Sequence, residues 1–121
     1  MDASIMNGFE IITRLGGYII LFSVYAALLK TLTAGIPLLS PVLSLLLEIS
    51  SGSAVLLTSA IPLPLKLSLL TAGLSFGGIS TIMQTASVIR GSGLALRTYV
   101  TAKSLQACTA LLLSLFFFSV I

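Results

Sequence analysis

Charged side chains are too few in this chain to coat a soluble domain. The 121 residues include six Lys or Arg and three Asp or Glu, so that 7% are charged while 57% are hydrophobic. A soluble domain of ordinary composition carries about 25% charged residues, which keep its surface in water. Lipid therefore has to surround most of the folded chain, and we expect residues 1–121 to form one all-α integral membrane domain.

The composition also argues against several kinds of site. The chain has no His and a single cysteine, Cys108, which excludes His/Cys metal centres, Cys–His catalysis and internal disulfides. The many serines have no histidine to act as their base, so we expect no enzyme activity. The basic residues are scattered and lack the interleaved aromatic residues of a nucleic-acid surface, so we expect no nucleic-acid partner.

Uncharged runs predict three crossings of the bilayer. Residues 13–32 form the first: the run from Leu15 to Leu29 is uncharged, Arg14 and Lys30 lie at its ends, and about 20 residues span a hydrocarbon core of ~30 Å. Residues 67–89 form the second, and the adjacent Gly77 and Gly78 near its middle predict a break in that helix. Residues 104–121 form the third.

The segment 35–64 has prolines near both ends and a polar centre from Glu48 to Ser53. Each arm is about 8 to 13 residues long, or roughly 12–20 Å of helix, which is too short to cross alone. Two arrangements fit this pattern: one crossing helix broken near its centre, or a re-entrant hairpin whose polar tip turns back inside the membrane. The positive-inside rule does not separate them, since both place four basic residues against two. The prolines favour the hairpin.

Glu48 is the only acidic residue within a hydrophobic segment. A carboxylate inside the bilayer costs several kcal/mol unless it is paired, hydrated or protonated. It could simply accept hydrogen bonds from nearby backbone amides such as those of Ser50 to Gly52, or it could bind a substrate or a coupling cation, Na⁺ or H⁺. Because acids inside membranes are usually functional, the second interpretation is favoured.

The remaining candidate site residues are small or polar and lie near the expected half-helix ends. Transporters use such ends to hold solutes and ions near the middle of the membrane. Ordinary helix capping and close helix packing are the competing explanations. These candidates are Ser50, Ser51, Gly52, Ser75, Gly77, Gly78, Ser80 and Gln84. We expect Glu48 and the glycine pair to form one site around a cavity, with the Glu48 side chain within about 10 Å of the glycine backbone.

Three stretches in order along the chain resemble the sporulation integral membrane protein YlbJ family. They are Ser75 to Gln84 (SFGGISTIMQ), Gly16 to Val24 (GGYIILFSV) and Leu46 to Gly52 (LLEISSG). Ile82 departs from the pattern, since many members have a polar residue there. The family is related to nucleoside-recognition domains and, more distantly, to concentrative nucleoside transporters. The resemblance implies a crossing helix, a re-entrant hairpin, a broken helix and a second crossing helix, which is half of a nucleoside-transporter-like fold.

The resemblance also implies a function and partners. Full members contain two such units, and this chain resembles only the C-terminal one. The expected role is therefore a half-unit of a secondary transporter for a small polar or anionic solute, such as dipicolinic acid, in a bacterial cell or forespore membrane. Its expected partners are the lipid bilayer, the solute, and either further copies of itself or a sister half. The alternative is a membrane assembly factor in spore formation that transports nothing.

Overall fold

A computed structural model describes all 121 residues, and its regular structure is entirely helical. The six helices are α1 (Asp2–Leu32), α2 (Leu39–Leu47), α3 (Ile49–Leu57), α4 (Leu63–Phe76), α5 (Gly78–Ile89) and α6 (Leu96–Val120). Three stretches are long and apolar enough to cross a membrane, namely α1, α4 with α5, and α6. The prediction of an all-helical chain compatible with a membrane is thus confirmed.

The outer helices extend beyond the uncharged runs that predicted them. Helix α1 begins at Asp2 rather than at residue 13, and α6 begins at Leu96 rather than at residue 104. Charge limits the part of a helix that can lie in hydrocarbon, but Glu, Lys and Arg are themselves good helix formers. At the start of α1, Glu10 and Arg14 form an ion pair one helical turn apart, which favours helix in that region.

Helices α2 and α3 lie side by side as a hairpin. The chain reverses at Glu48, whose backbone is extended (φ −151°, ψ 124°) between the two helices. A Cβ atom at Gly52 would lie only 2.5 Å from the backbone nitrogen of Leu45, so the two helices approach as closely as their backbones allow. Segment 35–64 is therefore folded back on itself rather than forming one long broken helix.

The hairpin packs against α4, and α4 in turn packs along most of its length on α6. A small apolar core at the hairpin consists of Leu45, Leu56 and Ile61, with Ile49 and Leu69 packed against it. Helix α1 contacts α2 and α5, and the Arg14 Nη1 atom donates a hydrogen bond to the Ser87 carbonyl oxygen over 3.4 Å. Only 12 of the 121 residues are buried, so most large apolar side chains face outward.

The helix formed by α4 and α5 is interrupted near its middle. Gly77 and Gly78 both have left-handed backbone conformations, with φ values of +87° and +85°. Residues with a Cβ atom rarely adopt these angles, which explains why two glycines occupy the interruption. The interruption leaves the first amides of α5 without a side-chain cap.

Candidate functional site

The Glu48 carboxylate caps helix α3 at the tip of the hairpin. Its Oε1 atom accepts a hydrogen bond from the Ser50 amide over 2.9 Å, and its Oε2 atom accepts one from the Ser51 amide over 2.8 Å. The Ser51 hydroxyl also donates to Oε2 over 2.9 Å. An acidic side chain at this position both satisfies free amides and complements the positive end of the helix dipole.

Glu48 is also held from outside the hairpin. The Ser23 hydroxyl of α1 donates to the Oε2 atom of Glu48 over 3.4 Å, and the exposed fraction of Glu48 is 2%. Four donors within the chain thus surround a carboxylate that is almost completely buried. The structure therefore agrees with the capping role that the sequence left open, and it leaves little of the carboxylate free to contact a solute directly.

The other candidates at the tip differ in their surroundings. Ser51 is partly buried by its bond to Glu48, whereas Ser50 is exposed. Gly52 is buried against α2, because a Cβ atom there would lie within 2.6 Å of the backbone of Ser44 and Leu45. The close approach of α2 and α3 therefore requires a glycine, and Gly52 contributes packing rather than a surface for a ligand.

The tip of the hairpin touches the interruption between α4 and α5. A Cβ atom at Gly78 would lie 3.1 Å from the Leu47 carbonyl oxygen and 3.3 Å from both the amide nitrogen and the Cα atom of Glu48. The two interruptions of regular helix therefore lie together, as the single-site hypothesis requires. They lie closer than expected, however, because the two backbones are in contact and no solute-sized space separates them.

Further along α5, a pair of polar side chains follows the interruption. Ser80 has an exposed fraction of 1%, and the Gln84 Nε2 atom donates to its hydroxyl over 3.1 Å. The Thr81 hydroxyl donates back to the Gly77 carbonyl oxygen, and Ser75, before the break, donates to the carbonyl oxygen of Thr71. Ser80 and Gln84 thus form a polar pair two and six residues beyond Gly78, while Ser75 is satisfied within its own helix.

Two polar contacts of this region could not be located from sequence alone. Ser23 is one hydroxyl in a long apolar helix, and only the packing of α1 on the hairpin brings it to Glu48. At the other end of the hairpin, the Lys66 Nζ atom donates to the carbonyl oxygens of Leu57 and Ser59 over 3.0 and 2.9 Å. Lys66 therefore caps the C-terminal end of α3, where a cation offsets the helix dipole.

Comparison of the chain with family models, with curated proteins and with solved structures finds no match. The resemblance to the sporulation membrane protein family thus stays a prediction carried by its three sequence stretches. Any function has to be argued from the geometry of the tip and the break.

Proposed function

We propose that this chain is a half-unit of a secondary transporter that moves a small polar or anionic solute across a bacterial cell or forespore membrane. The observation that carries the proposal is the contact of Gly78 with Leu47 and Glu48, which joins the hairpin tip to the helix break. Interrupted helices that meet at depth are the usual frame of a solute site in secondary transporters. Dipicolinic acid is the first solute to test, because of the sequence resemblance.

Helix lengths support a re-entrant position for the hairpin. Helices α2 and α3 have nine residues each, or about 13–14 Å, so neither could cross a bilayer. Helices α4 and α5 have 14 and 12 residues, so that the break lies near the middle of that span. Since the tip contacts the break, the tip lies near the same depth. Irregular backbone at that depth is stable only where protein or water covers it, and here tip and break cover each other.

The proposed roles follow from how each group is satisfied. Glu48 holds the shape of the tip, because its hydrogen bonds are already made within the chain. In this closed arrangement the groups left for a solute are the exposed Ser50 and the half-buried Gln84. The first amides of α5 and the buried Ser80 become available to a solute only when the tip moves away from the break. Amides at a helix N-terminus favour an anionic group, which suits a carboxylate solute better than the buried Glu48 does.

Transport on this proposal needs the tip to move away from the break. The contact at Gly78 joins backbone atoms across a glycine without an interlocking side chain, so that separating them breaks few interactions. The outward-facing apolar surfaces of α1 and α6 would be covered by lipid and by a second unit, either another copy or a sister half. A coupling cation, Na⁺ or H⁺, would then drive the alternation between states.

Uptake of radiolabelled dipicolinate into proteoliposomes tests the proposal. The full chain, reconstituted alone or with a sister half, is expected to accumulate solute above protein-free vesicles under a Na⁺ or H⁺ gradient. Ser80→Ala and Gln84→Ala should lower uptake with the helix content unchanged by circular dichroism. Glu48→Gln should also lower uptake, because the amides of Ser50 and Ser51 bond different carboxylate oxygens and glutamine replaces one of those oxygens by an NH₂ group that cannot accept. Lys103→Gln is the control, because Lys103 lies on α6 and its amine lies over the Tyr99 ring and makes no hydrogen bond with the tip.

The closed contact between tip and break also favours a second candidate function. This second candidate is a membrane assembly factor in spore formation that transports nothing. Such a protein needs no solute site, and a Glu48 whose hydrogen bonds are all made within the chain, together with backbones in contact, suits a static scaffold. In that case the folded, reconstituted chain gives no uptake above protein-free vesicles in any pairing or gradient. That result would reject the transporter proposal.

A further inference from the structure

An open cleft of about 670 Å³ lies at the end of the hairpin opposite to Glu48. The end of α1, the loop after it, the start of α2 and the end of α3 form its walls. Its polar lining residues are Lys30, Thr31, Ser40, Thr58 and Ser59, and the rest are alanine, valine, isoleucine and proline. Nothing in the proposed transport site uses this cleft, since eight residues of α2, or about 12 Å, separate Ser40 from Glu48.

We propose that this cleft binds a phosphate group, carried either by an anionic lipid headgroup or by a free anion. Lys30 supplies the positive charge: it is exposed at the cleft, and its amine makes no hydrogen bond or ion pair with another residue of the chain. No acidic residue lines the cleft. The two other acids, Asp2 and Glu10, are 20 or more residues away along α1, or at least about 30 Å.

Helix α2 begins at the cleft and contributes free donors. It has no side-chain cap, and the amides of Leu39 and Ser40 have no backbone acceptor. The following residue, Pro41, has no N–H at all. The partial positive charge at the start of a helix favours an anion there.

Ser40 gives a second indication, independent of the helix terminus, that the cleft binds a ligand. Its exposed fraction is 8%, it lines the cleft, and its hydroxyl makes no hydrogen bond with another residue. The other cleft hydroxyls differ, because that of Thr31 donates to a carbonyl oxygen of α1 and those of Thr58 and Ser59 donate to carbonyl oxygens of α3. Ser40 is thus a largely buried residue whose hydroxyl has no partner in the chain, which leaves that hydroxyl free to bond a ligand in the cleft.

Lys66 makes the cleft more favourable for an anion. The ends of helices present carbonyl oxygens, and the end of α3 lies beside the cleft. The Lys66 amine binds the carbonyl oxygens of Leu57 and Ser59 and so offsets their negative charge. Lys30 and Lys66 also mark the ends of apolar runs, where lipid phosphates lie.

Native mass spectrometry of the full chain in non-ionic detergent, titrated with phosphatidylglycerol, tests the proposal. Lys30→Gln is expected to weaken lipid binding about tenfold and Ser40→Ala about threefold, in line with the loss of a charged and of a neutral hydrogen bond. Lys103→Gln removes the same kind of charge from α6 and should leave binding unchanged. Circular dichroism and gel filtration check that each variant is folded, and Ser40→Ala removes a hydroxyl that bonds nothing in the chain.

A second arm uses inorganic phosphate without lipid, followed by ³¹P NMR line broadening. If phosphate broadening is seen with the wild type and lost in both Lys30→Gln and Ser40→Ala, the ligand is a free anion. If the two substitutions weaken only the binding of phosphatidylglycerol, the ligand is the lipid headgroup. The proposal is overturned by equal binding of wild type and both variants in the two arms, or by no binding in either.

Discussion

Replacing Gly78 by alanine tests whether the hairpin tip and the helix break hold each other in place. The change has two costs. The left-handed backbone at φ +85° is unfavourable by about 1–2 kcal/mol for a residue with a Cβ atom. The new Cβ would also lie 3.1 Å from the Leu47 carbonyl oxygen and 3.3 Å from Glu48, so that the tip has to shift by a few tenths of an ångström. Overpacking of this kind costs about 1–3 kcal/mol, and the small shift places it near the lower value.

Gly93→Ala separates the two costs. Gly93 has φ +80°, but a Cβ atom there meets nothing within 4 Å. Its substitution should therefore lower the free energy of unfolding by about 1–2 kcal/mol, and Gly78→Ala by about 2–3 kcal/mol. Gly77→Ala, with φ +87°, should resemble Gly93→Ala more than Gly78→Ala, because the three atoms nearest to its new Cβ all belong to the Thr81 side chain of α5 and not to the tip.

Unfolding in mixed detergent micelles, followed by far-ultraviolet circular dichroism, measures these differences. The three variants share the backbone penalty, so an excess loss at Gly78 reports the contact with the tip. Equal losses for Gly78→Ala and Gly93→Ala would refute the reasoning, because they would mean that the tip does not press on the break.

Two further predictions address the hairpin and the topology. Gly52→Ala should lower the free energy of unfolding by about 2 kcal/mol or more, since its Cβ would overlap the α2 backbone. Gly8→Ala should raise it by up to about 1 kcal/mol, because a Cβ at this position in α1 meets no other atom within 4 Å. The same unfolding assay measures both variants, and stabilisation by both would contradict the prediction. With a re-entrant hairpin and three crossings, the termini lie on opposite sides of the membrane. In sealed vesicles and a Cys108→Ser background, a membrane-impermeant maleimide should therefore label only one of the two variants Ala3→Cys and Ser119→Cys. Labelling of both or of neither would contradict this topology.

The helical class and the position of the break were accessible from sequence because each depends on local features. Runs without charge predict membrane helices by length alone, and two adjacent glycines allow backbone angles that other residues avoid. The structure accordingly places Gly77 and Gly78 in the left-handed region between α4 and α5. The prolines around segment 35–64 favoured the hairpin for a similar local reason, because proline restricts where short helices begin and end.

The roles of individual site residues depended on contacts that no local pattern carries. Glu48 caps α3 instead of facing an open cavity because the amides of Ser50 and Ser51 and the hydroxyl of Ser23 converge on it. The first two contacts are local and were foreseen as one of two alternatives, whereas the third depends on how α1 packs. Gly52 was a candidate for a polar tip, but only the three-dimensional arrangement shows that it lies against Leu45.

The interior of this chain explains why hydropathy alone could not find its contacts. The buried hydrophobic residues are four, Ala26, Leu45, Leu56 and Ile61, whereas the buried polar residues are five, Ser40, Ser44, Glu48, Ser68 and Ser80. In lipid, a leucine gains little by facing another helix, so small and polar residues decide which helix faces meet. Ser44 and Ser68 are fully buried and their hydroxyls have no hydrogen-bond partner, so their small size at the helix contacts comes at the cost of an unsatisfied hydroxyl. Serines and glycines within apolar segments are therefore better guides to the helix contacts of this chain than its leucines are.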